Sequence, residues 1–208
     1  MKDAIVQFLQ SITGSPALTV FIFSMLPMVE LKGAIPIGEA LGFGLLKSAA
    51  LAFLGSTFIC IPIYFLLVPI IKLLKKIKFV SRLADGVEGV LQRRAEKLSV
   101  NADGKAKLKR QLLFAIYAFV ALPLPLTGVW MGTAIAVFLG LKFKEVILPI
   151  ALGNLTAGCI ITLITYLFRD YVEYIILGLF AIAIIMLVIF IVQIALSKPR
   201  KEDTKNNL

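Results

Sequence analysis

Apolar residues in this chain occur in runs of two lengths, separated by short polar segments. Three runs are long enough for a helix to cross a bilayer, which takes about 20 residues for ~30 Å of hydrocarbon: residues 48–71, 145–168 and 174–196. Four other runs are much shorter: residues 17–28, 35–46, 112–122 and 133–141. The pattern predicts an all-α integral membrane protein in which short helices alternate with spanning helices.

The first two short runs are separated by a segment that is both charged and rich in proline. Glu30 and Lys32 lie there between Pro27 and Pro36. A charge near the bilayer centre costs about 3 kcal/mol, and non-helical backbone is tolerated at that depth only where protein or water covers it. We interpret the segment from Pro27 to Pro36 as the broken tip of a re-entrant hairpin. The alternative is a short polar loop at the membrane surface.

The other two short runs are separated by a second proline-rich segment. It contains Pro123 and Pro125, followed by Thr127, Gly128 and the single tryptophan, Trp130. The same combination of short runs and a broken centre predicts a second hairpin tip here.

Proline and glycine residues recur with similar spacing in the two halves of the chain. Leu-Pro occurs at 26–27 and at 122–123, and the glycines at 42 and 55 are spaced like those at 140 and 153. This spacing predicts two repeats, residues 17–71 and 112–168, each made of a hairpin and a spanning helix.

Charge predicts the topology. Residues 72–110 contain twelve Lys and Arg against four Asp and Glu, and residues 197–208 form a second basic segment. By the positive-inside bias both are cytoplasmic, so the turn at 169–173 lies outside. The two repeats are then inverted, and their hairpins enter from opposite sides with tips that meet near the midplane.

The remaining segments complete a single integral membrane domain, residues 1–208. Residues 1–15 carry apolar positions on one helical face and predict an interfacial helix that ends at Gly14-Ser15-Pro16. Residues 174–196 predict an extra C-terminal spanning helix, and residues 197–208 form the tail.

Composition excludes several classes of function. The chain has 60% hydrophobic residues and no histidine, so His-ligated metals and Ser/His/Asp or Cys/His catalysis are excluded. Cys60 and Cys159 have no CxxC spacing. No pair of aspartates lies at hydrophobic depth, and the net charge of +10 is concentrated beside apolar runs. We therefore expect no enzyme, no cofactor, no metal and no nucleic acid partner.

The polar residues within apolar surroundings are the candidates for a substrate or ion site. They are Glu30, Lys32, Glu39, Thr127, Trp130 and Asn154. Gly38-x-x-x-Gly42 and Gly128-x-x-x-Gly132 are faces suited to close helix contact, and they predict a homodimer interface.

Two motifs resemble a known family. The segments Pro27-Met-Val-Glu30-Leu-Lys32-Gly-Ala-Ile-Pro36 and Ala121 to Trp130 resemble the two blocks P-x-x-E-L-[KR]-[GA]-[AS]-I-P and A-x-P-x-P-x-T-G of the small multidrug export family of bacterial and archaeal membrane proteins. The resemblance covers about residues 20–168 and implies a transport protein of the cytoplasmic (inner) membrane.

A looser resemblance connects that family to the DedA/VTT membrane proteins. It implies paired re-entrant hairpins and translocation of polyprenyl phosphates or phospholipids. DedA proteins pair embedded acids with arginines near their hairpins, whereas the hairpins of this chain carry Glu30 and Glu39 with Lys32 as their cation.

These observations favour a secondary transporter in the lipid bilayer for a small-molecule or lipid-like amphipathic substrate, with proton or sodium coupling at Glu30. Two alternatives stay open at this point. One is a DedA-like lipid flippase or scramblase. The other is a membrane assembly protein without transport activity, whose glycine faces serve partners.

Overall fold

The computed structural model describes residues 14–74, 102–124 and 127–171, with isolated positions at 174, 178, 181, 185, 188, 189 and 192. Seven α-helices and one 3-10 turn lie in the three continuous ranges: α1 Pro16–Met25, α2 Glu30–Ala40, α3 Leu45–Phe58, α4 Cys60–Leu74, α5 Ala102–Ala121, α6 Val129–Phe138, α7 Phe143–Leu167 and the turn Arg169–Tyr171. No strand occurs in this part of the chain. The predicted all-α fold is confirmed for it.

Several predictions concern residues outside this description. They are the interfacial helix up to residue 13, the linker between 75 and 101, most of the crossing at 174–196, and the tail at 197–208.

Two helical segments are long and apolar enough to cross a membrane. Leu45–Ile71 has 27 residues and mean hydropathy 2.3, and Phe143–Leu167 has 25 residues and mean hydropathy 2.0. Only 28% and 22% of their most apolar windows are buried. The core helix of a soluble protein would bury such residues, so the exposed apolar surface indicates contact with lipid.

The first of these segments is interrupted between α3 and α4 at Ile59. Pro62 lies one turn further along and has no backbone N–H, while its ring conflicts with the carbonyl of the residue four positions earlier, Phe58. The break therefore falls where Pro62 prevents a continuous helix.

Helix α5 begins at Ala102, ahead of the predicted start of the second repeat at residue 112. The residues added are rich in lysine, arginine and alanine, which favour helix. The sequence places residues 102–110 in the linker because they are not apolar, whereas their backbone is part of α5.

The two long segments run antiparallel. Tyr64 of α4 donates its hydroxyl hydrogen to Leu141 O at 2.7 Å, immediately before α7 begins. At the other end, Arg169 follows α7 and pairs with Glu39 at 2.7 Å, just before α3 begins. Each helix therefore starts where the other ends.

Helices α2 and α6 end in the same way. Phe43 N–H donates to Gly38 O at 3.0 Å, and Leu141 N–H donates to Ala136 O at 3.0 Å. The residues before these donors are Gly42 and Gly140, with φ of 72° and 70°. Both are Schellman terminations, in which glycine adopts the left-handed conformation at low cost.

A pair of glycines sets the helix distance within each half. A Cβ on Gly55 would lie 2.8 Å from Phe21 O, and a Cβ on Gly153 would lie 2.6 Å from Tyr117 O. Because neither contact leaves room for a side chain, these glycines allow α3 to pack on α1 and α7 to pack on α5.

Three of the four glycines in the predicted homodimer faces pack inside the protomer. Gly38 lies against Val20 and Ser48, and a Cβ on Gly132 would lie 2.5 Å from Val120. Gly128 is also buried. Gly42 is exposed, with nothing within 4 Å of a Cβ placed there. Three of the four glycines therefore serve packing within one chain, which small residues also permit, and the homodimer stays a prediction.

Candidate functional site

The break between α1 and α2 is shorter than predicted. Helix α1 ends at Met25 and α2 resumes at Glu30. Pro27 lies in the break, but Pro36 lies inside α2. The prediction that Pro36 bounds the tip is wrong, because α2 continues through Pro36 to Ala40. Proline removes one backbone hydrogen bond, and the packing of a helix that is buried from residue 30 to 38 outweighs that loss.

Backbone distortion is concentrated at the start of α2. Met28 has φ of 76° and Glu30 has φ of 46°, both in the left-handed region that non-glycine residues rarely occupy. Such strain persists only where the surrounding structure holds it, and it occurs preferentially at functional sites.

Glu30 and Lys32 form a buried ion pair. Lys32 Nζ lies 3.3 Å from Glu30 Oε2, and each side chain is 7% exposed. Residues two apart on a regular helix do not face each other. The pair forms because Glu30 is the first residue of α2 and its φ is not helical.

Lys32 also binds the loop between α5 and α6. Its Nζ donates to Leu124 O at 2.8 Å and to Thr127 O at 2.7 Å. An ammonium group has three N–H donors, and the carboxylate and these two carbonyls match that number. The loop carbonyls, which no helix satisfies, thereby gain a charged donor.

Glu30 binds the start of α6. Its Oε1 accepts from Trp130 N–H at 3.2 Å. The first turn of a helix carries unpaired N–H groups and a partial positive charge that favour a carboxylate. Gly128 makes this approach feasible, because a Cβ there would overlap the Glu30 carboxylate.

The contact between the two broken segments is reciprocal. The indole Nε1–H of Trp130 donates to Met25 O at 3.0 Å, at the end of α1. The ammonium of Lys32 donates hydrogen bonds to the break between α5 and α6, and the indole of Trp130 donates one to the break between α1 and α2. The two proline-containing segments therefore contact each other and satisfy each other's backbone.

Thr127 contributes its carbonyl to Lys32 and not its hydroxyl. The Oγ1–H group donates to Leu122 O at 2.7 Å and to Leu124 O at 2.9 Å, which folds the loop on itself. Pro123 lies in this loop, and Pro125 lies outside the described residues.

Two predicted site residues lie in other places. Glu39 pairs with Arg169, whose side chain is 69% exposed, while that of Glu39 is 6% exposed. Asn154 donates its amide to Ser56 Oγ at 2.7 Å and to Thr57 Oγ1 at 2.9 Å, which links α7 to α3.

Sequence reasoning missed Arg169 as the partner of an embedded acid. The sequence pattern places this arginine in a polar turn, outside the hairpins where a cation is expected. The signal was nevertheless present, because the predicted topology places the end of hairpin one and the 169–173 turn on the same face. The ion pair joins these two elements.

The described residues offer no group of three or more His, Cys, Asp or Glu suited to hold a metal ion. The site instead consists of one carboxylate, one ammonium and the backbone groups of two helix breaks. In general, a carboxylate can accept a proton or a small cation, and an ammonium can exchange its anionic partner, without covalent chemistry.

The fold and this site define an all-helical membrane protein with a charged cluster where two broken helices meet. The chain belongs to the family described as "Putative small multi-drug export protein", whose model matches residues 30–160. That segment includes Glu30, Lys32 and the whole second break. The description is one of export and names no enzyme class. Neither a curated protein nor a solved structure is significantly similar to the chain.

Proposed function

We propose that this protein is a secondary transporter of the cytoplasmic membrane that exports a small amphipathic substrate and couples to protons or Na⁺ at Glu30. The observation that carries the proposal is the buried Glu30–Lys32 pair, which bridges two broken helices. Buried charges at membrane depth are costly and typically mark ion or substrate pathways. The export description of the family supports the same conclusion.

Contacts between equivalent positions support an inverted repeat. Glu30 contacts Gly128, and Ser56 contacts Asn154. Both pairs are 98 positions apart in the sequence, the same offset as Gly42 and Gly140. Residues related by a two-fold axis touch their own equivalents only near that axis. Since α3 and α7 are antiparallel, such an axis would lie in the membrane plane.

Helix lengths support re-entrant hairpins. The shorter helix of each hairpin, α1 in the first and α6 in the second, has 10 residues, which corresponds to about 15 Å. That is about half of the ~30 Å hydrocarbon core. Helix α5 has 20 residues, but its Lys109 already lies beside the start of α7. Glu145 at the start of α7 pairs with Lys109 of α5 at 2.6 Å, while Glu39 pairs with Arg169 at the other end. The two hairpins thus open toward opposite ends of α7.

The cluster suggests how coupling works. In the observed state, Lys32 forms an ion pair with the Glu30 carboxylate and hydrogen bonds with the carbonyls of Leu124 and Thr127. If Lys32 separates from Glu30 and from this loop as the hairpins move, these three oxygen groups become free together. A carboxylate with loosened backbone carbonyls is a ligand set for Na⁺, and the carboxylate alone accepts a proton. Binding at Glu30 would then stabilise the separated state.

Transport is tested with the neutral double variant Glu30→Gln/Lys32→Met in proteoliposomes, using ethidium as the probe. Removing both charges avoids leaving one buried charge without a partner, so the variant is expected to fold. We expect native protein to show ethidium flux driven by a pH or Na⁺ gradient. The double variant should fall to the level of protein-free liposomes.

The matched control is Glu145→Gln, which removes a carboxylate from a partly exposed ion pair. It should transport like the native protein. Gradient-driven flux through the folded double variant would contradict coupling at Glu30. Gradient-independent movement of a fluorescent phospholipid, without ethidium flux, would favour the DedA-like flippase or scramblase. Absence of both activities in native protein would favour the assembly protein.

The membrane topology is tested with single cysteines in a background that lacks Cys60 and Cys159. Lys47, Lys144 and Asp170 are exposed. Lys47→Cys and Asp170→Cys should react with an impermeant maleimide from one face, and Lys144→Cys from the other. Labelling of all three positions from one face would contradict the inverted arrangement of the hairpins.

A further inference from the structure

A groove of about 1040 Å³ lies on the surface of the helix bundle, between the start of α3 and the second half of α7. Its walls are mainly apolar and include Phe43, Leu45, Phe53, Leu155 and Leu163. Pockets for drug-sized ligands measure about 300–1,000 Å³. The groove is therefore large enough for an apolar ligand at or above the upper end of this size range.

One end of the groove carries charge. Glu39, Lys47 and Arg169 line it there. Arg169 Nε donates to Glu39 at 2.7 Å, and the guanidinium stays largely exposed. Lys47 is exposed and forms no ion pair with another described residue. Two cations and one anion leave a net positive end, and the remaining guanidinium N–H groups suit phosphate oxygens.

The groove has the length of one lipid leaflet. Along α7 it extends from Leu155 to Arg169, which is about 20 Å at 1.5 Å per residue. Half of the hydrocarbon core is about 15 Å, and the headgroup region adds about 5–7 Å on each side. A lipid with its head at Lys47 and Arg169 would thus reach the middle of the bilayer.

We propose that this groove holds one anionic phospholipid of the surrounding leaflet, with its acyl chains along the apolar walls and its phosphate at Lys47 and Arg169. The groove is separate from the site formed by Glu30 and Lys32. Leu31 is fully buried between them, and a Cβ on Gly158 in the groove would lie 3.7 Å from its Cδ1. The proposal is therefore independent of the transport function.

Lipid retention by the purified protein tests the site directly. The probes are phosphatidylglycerol and phosphatidylcholine with identical chains, and bound lipid is measured by native mass spectrometry. Because one cation near a headgroup contributes about 1 kcal/mol, Lys47→Gln should reduce retention of phosphatidylglycerol about fivefold. The matched control Lys144→Gln removes an exposed lysine at the other end of α7 and should leave retention unchanged.

Ala50→Trp fills the exposed part of the groove without changing a charge. It should lower retention of both lipids. Equal retention of the two lipids by native protein would overturn the proposal. Native-like retention by Ala50→Trp would overturn it as well.

Cys159 is exposed, lines the groove, and reports on its occupancy. N-ethylmaleimide should label it more slowly in phosphatidylglycerol bilayers than in phosphatidylcholine bilayers, and Lys47→Gln should remove the difference. Cys159→Ser measures any background from the buried Cys60. Equal rates in both bilayers, or disulfide formation between Cys159 residues of two copies, would contradict a lipid occupant.

Discussion

Replacing Lys32 by methionine should lower the free energy of unfolding by about 3–5 kcal/mol, as expected when a buried charge loses its partner. The Glu30 carboxylate would remain buried at the start of α6 without its cation. The carbonyls of Leu124 and Thr127 would lose a donor as well. Unfolding in mild detergent by a chemical denaturant measures the change.

A double-mutant cycle separates the energy of the ion pair from the energy of side-chain packing. Glu30→Gln/Lys32→Met removes both charges and keeps the side-chain volumes similar. Replacing a whole buried pair is often neutral, so the double variant should be more stable than Lys32→Met alone. Lys144→Met, at an exposed lysine, should change stability by less than about 0.5 kcal/mol. If the stability losses of Lys32→Met and Glu30→Gln added up to the loss of the double variant, the two side chains would not be coupled.

Gly128→Ala should also be strongly destabilising. The added Cβ would overlap the Glu30 carboxylate, and overpacking a well-packed site typically costs about 1–3 kcal/mol and occasionally more. The upper part of that range is expected because the carboxylate is held by Lys32 and Trp130. Backbone strain contributes nothing, since Gly128 is extended with φ of −136°.

Two further variants test this steric explanation. Gly178→Ala places a Cβ where nothing lies within 4 Å, so it should be neutral or stabilising by about 0.5–1 kcal/mol. Glu30→Asp in the Gly128→Ala background withdraws the carboxylate by one methylene and should recover part of the lost stability. A loss from Gly128→Ala that is unchanged by Glu30→Asp would exclude the carboxylate as the cause.

Both predictions concern the same arrangement, in which the charged side chains of one break satisfy the backbone of the other. Weakening it is expected to lower both stability and transport. Comparing unfolding with flux is therefore necessary for each variant, because a loss of flux in a destabilised protein says nothing about coupling.

The sequence by itself determined the class of the protein and the approximate position of its breaks. The long apolar runs at 48–71 and 145–168 correspond to Leu45–Ile71 and Phe143–Leu167. This agreement arises because transfer into a bilayer is a sum of local contributions along the chain. Pro27 and the repeated glycines were also informative, since each restricts the backbone at its own position.

Only the tertiary structure decided which groups meet. Lys32 binds carbonyls more than 90 positions away, and Glu39 pairs with Arg169. Backbone carbonyls have no sequence signature, and a distant ion pair depends on how whole helices pack. Pro36 shows the same limit, because burial of α2 overrides the local preference of proline to end a helix.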